Sequence, residues 1–210
     1  MAVTNTQESW GLVTRLIHWL MAILIVFQVA GGLYMVQVIG DDLIQRFNWT
    51  QTHKSWGFVV VCLAALRIIW RALNPVPADP PMPRWQTVAS RISHYAFYVL
   101  MIAIPVTGWL MASASPLNDA DAYVQVKNQV TLQYLFGKDL LDLVGLKEQV
   151  LLEMPDPYEP GDEALTEILA RIHLALALTL TALLGVHIAA ALKHQFVDRD
   201  GLLARMVTGR

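Results

Sequence analysis

Four long apolar stretches, at 16–38, 53–73, 95–115 and 168–192, constrain this chain more than any other feature. A bilayer core about 30 Å thick needs about 20 apolar residues in helical form, and each stretch meets that length. Inside hydrocarbon every backbone polar group must find its partner within the chain, which makes a helix the form of a single span. Composition agrees: 55% of the residues are hydrophobic and 15% charged, against about a quarter charged in soluble domains. The expectation is an all-α integral membrane four-helix bundle, one membrane domain over 1–210, with a long loop at 116–167. The first stretch is too long for a signal-peptide core of about 7–15 residues and reads as a retained span. Cys62 is the single cysteine, so neither a disulfide framework nor a CxxCH haem-attachment site is present.

Charge then sorts the ends of the spans. With an even number of spans, the N-terminus, the second loop and the C-terminal tail share a face. That face carries nine basic residues, Arg15, Arg67, Arg71, Arg84, Arg91, Lys193, Arg199, Arg205 and Arg210, and four acidic ones, Glu8, Asp79, Asp198 and Asp200. The opposite face has the remaining six basic and thirteen acidic residues. The positive-inside rule puts both termini in the cytoplasm of a bacterial inner membrane. Tryptophans fall mostly near the span ends, as interfacial belts do. The loop at 74–84 (NPVPADPPMPR) is proline-rich and extended. The outer loop at 116–167 carries spaced leucines among charges in its middle, a pattern for one or two short amphipathic helices. No nucleic-acid partner is expected.

Histidines supply the chemistry. His18 lies near the inner start of the first span, His53 at the outer start of the second, and His94 opens the third on the inner side. The fourth span holds His173 and His187, separated by 14 residues. That is about 21 Å along a helix, and the two fall within about 40° of one face. Each has a partner at matching depth: His53 for His173 on the outer side, His18 for His187 on the inner. Ionisable residues inside a membrane mark functional sites, and paired imidazoles are an axial ligand set for haem iron. Zinc or copper also suit imidazole, but no Asp or Glu occurs within the four stretches, so haem is preferred. Gly31, Gly32 and Gly108 lie where helices could admit a flat macrocycle. His94 is either a third ligand candidate, a group bonding a haem propionate or quinone, or an interfacial side chain. Arg67 and Arg71 suit snorkelling or pairing with propionates of the inner haem. His194, two turns beyond His187, is expected to be solvated.

The sequence resembles the bacterial cytochrome b561 family. RLIHWLMAILIVFQVAGG is similar to its first span, QTHKSWGFVVVCLAALRIIWR to its second, and SHYAFYVLMIAIPVTGWLM to its third. RIHLALALTLTALLGVHIAAALKHQFVDRDGLLARM resembles its last span and tail, and is the most specific match. Related proteins are the cytochrome b subunits of formate dehydrogenases and nickel–iron hydrogenases. The resemblance implies two non-covalent haems b, the outer on His53 and His173 and the inner on His18 and His187. It further implies electron transfer between a periplasmic donor or acceptor and ubiquinone or another membrane quinone. The basic residues clustered on the inner side make His94, Arg67, Arg71 and Arg91 the candidates for contacts with the propionates or the quinone. Some members are superoxide oxidases, and others serve as haem-bearing anchors of a periplasmic dehydrogenase. The outer loop holds eleven acidic residues between Asp119 and Glu167 against Lys127, Lys138 and Lys147. Such a loop repels a small anion and favours a basic redox protein such as a c-type cytochrome.

Overall fold

The computed structural model describes residues 2–40, 42–115, 129–146, 149–153 and 161–209. Four long helices carry the fold: α1 (Leu12–Gln37), α2 (Leu43–Leu73), α3 (Arg84–Ala114) and α6 (Glu163–Lys193). All four are long and apolar enough to cross a membrane, and the protein is an all-α integral membrane four-helix bundle. Each extends past the apolar stretch that announced it. α2 begins ten residues before His53 and α3 eleven before Tyr95, because helices continue into the polar interface where hydropathy no longer reports them. Trp49, Arg84 and Arg91 are therefore helical residues. Pro105 lies inside α3, which continues past it. Large apolar side chains such as Val36, Leu73, Val99 and Val186 are exposed. In water they would be a liability; in lipid they are the expected outer surface.

Contacts divide the chain into two compact units. One comprises Met1–Ile23, Cys62–Ile102 and Leu178–Arg210. Its buried apolar residues include Ile17, Met21, Ala64, Met101 and Leu180. Polar bonds tie its non-membrane segments together. Asn5, only 7% exposed, donates to Pro75 O (2.9 Å) and accepts from Gly11 N (2.9 Å) and Thr14 Oγ1 (2.6 Å). The Thr14 hydroxyl in turn accepts from Trp70 Nε1 at 3.0 Å. Arg205, in the short helix α7 (Leu202–Val207), donates to Ala78 O and Glu8 O, both at 2.9 Å. One asparagine and one arginine thus join the N-terminal segment, the proline-rich loop and the tail.

The other unit comprises Leu24–Val61 and Ala103–Ala177, with Leu24, Ile25, Val60, Ala112 and Leu169 buried. Its loop contains two short helices, α4 (Leu132–Phe136) and α5 (Lys138–Leu143), where amphipathic helices were expected. It also contains what the sequence did not suggest, an antiparallel pair of strands, β1 (Gln129–Thr131) and β2 (Val150–Glu153). Three- and four-residue strands are too short to show an alternating pattern. The Phe136 ring stands 6.5 Å from Trp56, and Trp56 stands 6.3 Å from Phe27, seating the loop on α2. Asp162 caps α6 through its carboxylate to Leu165 N, and its own N–H bonds Ala114 O at the end of α3. Asp119, Asp121, Lys127, Lys147, Glu148, Asp156 and Glu159, with Pro155, Pro157 and Pro160, lie outside the described residues.

Candidate functional site

In the first unit three histidines from three helices converge. The ring centroids of His18 and His187 are 6.3 Å apart at an interplanar angle of 57°. Those of His94 and His187 are 6.0 Å apart at 75°. The expected partner of His187 is therefore in place, and His94, which depth alone left open, shares the same neighbour. Phe97 packs edge-on against His187 at 5.3 Å and Trp19 against His18 at the same distance. Arg67 differs from the snorkelling expectation. Its Nη2 lies 3.2 Å from His18 Nδ1, with its guanidinium 5.9 Å from the Tyr98 ring centroid.

His18, His94, His187, Arg67 and Tyr98 line a cavity of about 810 Å³ that also has Arg71 and Arg91 on its wall. Cofactor and ligand sites fall within about 300–1,000 Å³. His194 lines it too and is not solvated: its side chain is 13% exposed. His194 Nδ1 bonds Asp200 Oδ2 at 2.6 Å, and Asp200 Oδ1 accepts from Leu202 N. Asp198 stands 3.2 Å from the same nitrogen and pairs with Lys193. α6 passes into a π turn (His194–Asp198) before Arg199, which has a positive φ of 55°, and this turn folds the carboxylates back onto the ring. Hydropathy and helical periodicity carried no signal for it.

In the second unit the centroids of His53 and His173 are 6.4 Å apart at 73°. The glycines flank this pair. A Cβ at Gly31 or Gly32 would come to 3.8 Å or 3.6 Å from the His53 ring, and one at Gly108 to 3.1 Å from His173 Cε1. His173 Nδ1 lies 3.0 Å from Ile104 O and 3.1 Å from Thr107 Oγ1. His53 is held through its backbone, whose carbonyl accepts from Gln28 Nε2 at 2.9 Å. Its Nδ1 is buried and has no hydrogen-bond partner among the described residues.

Apolar membrane helices that bring imidazoles together in pairs suit one class, the integral-membrane haem proteins of electron transport. The chain belongs to the prokaryotic cytochrome b561 family, whose model matches residues 9–209. It is 29% identical over 214 residues to "Cytochrome b561 homolog 2" of Escherichia coli K12, covering 99% of this chain and 95% of that one. It is 25% identical over 193 residues to the "Probable superoxide oxidase CybB" of Yersinia pestis, covering 91% of each. "Cytochrome b561 homolog 1" of Escherichia coli K12 is 24% identical over 161 residues, 76% of this chain and 75% of the relative. Membership implies haem b as cofactor.

The residues fit that group. An imidazole nitrogen binds a first-row metal at about 2.0–2.1 Å, so two rings facing one iron have centroids about 6 Å apart. The separations of 6.3 and 6.4 Å meet that requirement, as does the 6.0 Å between His94 and His187. Gly32 and Gly108 leave beside the rings room that a Cβ would fill, at 3.6 Å from His53 Cε1 and 3.1 Å from His173 Cε1.

Proposed function

We propose that the protein is a diheme b-type membrane cytochrome that moves electrons between a periplasmic donor or acceptor and membrane quinone. His53 and His173 hold one haem, and His18 and His187 the other. The observation that carries this reading is the pair of facing imidazole sets, each drawing one member from α6. Bound haem supplies reversible one-electron chemistry at iron. The chain supplies the rest: fixed imidazoles, apolar helices that exclude water, and cations where carboxylates arrive. Arg67, Arg71 and Arg91 on the cavity wall can each take a propionate through charge-assisted bonds. His94 hydrogen-bonds a propionate or the quinone oxygen, its Nδ1 being steadied 3.4 Å from Ser90 Oγ.

By the positive-inside rule both termini lie in the cytoplasm of a bacterial inner membrane, with the His53–His173 pair on the periplasmic side. The acidic outer loop then faces the periplasm and favours a basic redox partner such as a c-type cytochrome. A second reading, oxidation of superoxide with quinone as acceptor, is favoured by the name of the Yersinia pestis relative, a probable superoxide oxidase. A third makes the chain the membrane relay of a periplasmic dehydrogenase. Purified protein is expected to contain two haems b per chain. His173→Ala and His187→Ala should each remove one of them, leaving the other's reduced-minus-oxidised band. A single haem in the wild type, or full haem in both variants, would sink the diheme reading. Anaerobic mixing with superoxide and with quinol then separates the donors: rapid reduction by superoxide selects the second reading.

A further inference from the structure

We infer that residues 104–108 of α3 form a built acceptor for His173, with Thr107 as the positioning residue that makes His173 the stronger electron donor of its pair. The inference rests on His173 being a haem ligand. Its geometry stands on its own. Ile104 O lies 3.0 Å from His173 Nδ1, and a carbonyl only accepts, so Nδ1 carries the proton and Nε2 the lone pair. Thr107 Oγ1 donates to the same carbonyl at 2.8 Å. With its hydrogen directed there, its lone pairs face Nδ1 at 3.1 Å. The Nδ1–H is thereby shared between two oxygens. Gly108 adjoins the device and lets the ring lie against the backbone, where a Cβ would come to 3.1 Å from His173 Cε1.

The opposite ring is treated differently. His53 Nδ1 is buried with no hydrogen-bond partner among the described residues. A hydrogen bond from the non-ligating nitrogen fixes the tautomer and raises the basicity of the imidazole toward metal. Greater basicity favours the oxidised iron and lowers its midpoint potential. The V-T-G segment of α3 therefore tunes one haem, through one of its two ligands.

The test uses the haem-loaded protein in detergent, with potentiometric titration and low-spin EPR of Thr107→Val and Thr107→Ser. The His173 haem is identified as the component missing from His173→Ala. Valine is expected to raise that component's midpoint and alter its EPR g values while leaving the other component unchanged. Serine, which restores the hydroxyl, should return both readings to wild type. Unchanged midpoint and g values in Thr107→Val, or movement confined to the other component, would overturn the inference. Retention of both haems in His173→Ala would instead overturn the ligand assignment beneath it.

Discussion

Gly108→Ala asks how closely His173 is fitted to α3. The added Cβ would stand 3.1 Å from His173 Cε1 and 3.4 Å from Nδ1, so the ring has to give by a few tenths of an ångström. Retreat from α3 carries Nδ1 away from Ile104 O and Thr107 Oγ1, now at 3.0 and 3.1 Å. Those bonds then pass the favourable limit of about 3.2 Å, at a cost of about 0.5–1.5 kcal/mol. Overpacking adds about 1–3 kcal/mol. Together these weaken haem affinity at this site by about ten- to a thousandfold, at 1.4 kcal/mol per decade. On the proposed diheme reading, haem per chain, measured by pyridine haemochrome after dilution below the saturating haem concentration, should fall from two toward one. Gly185→Ala is the control, because nothing stands within 4 Å of its Cβ; it should keep both haems. Full haem content with an unchanged spectrum in Gly108→Ala would refute the close-fit argument.

Asn5→Ala should destabilise the non-membrane segments by about 1–3 kcal/mol, since it leaves the buried Gly11 N–H without its acceptor; earlier proteolysis near the N-terminus in detergent would register it. Glu167→Gln breaks the exposed 2.6 Å pair with Arg171 and should change thermal stability by less than about 0.5 kcal/mol, so a drop in Tm of several degrees would contradict that assignment.

The four spans were legible because lipid demands long apolar runs, and depth-matching of the histidines was legible because a helix has a fixed rise and period. His94 shows where that reading stopped: depth placed it beside His18, but only the packing brings its ring to 6.0 Å from His187. The distance of Arg67 from the membrane edge suits snorkelling or propionate pairing and carries no sign of its contact with His18. His194 was assigned to solvent because it follows the span; a π turn instead returns Asp200 to its ring. Thr107 was invisible for another reason. A threonine that bonds its own helix and one that also serves a neighbouring ring look alike in sequence, and the Ile104 carbonyl belongs to no side chain at all. Helix ends were underestimated for want of any apolar signal beyond the hydrocarbon.

α6 is the last of the four long helices and lends one ring to each facing pair, His173 to one and His187 to the other. During synthesis His18, His53 and His94 are made, and their helices can enter the bilayer, before either partner has left the ribosome. On the proposed ligation, cofactor capture is thereby tied to synthesis of α6. A product cut off before α6 retains three of the four apolar helices but lacks one member of each ring pair, and on the proposed ligation it should bind no haem.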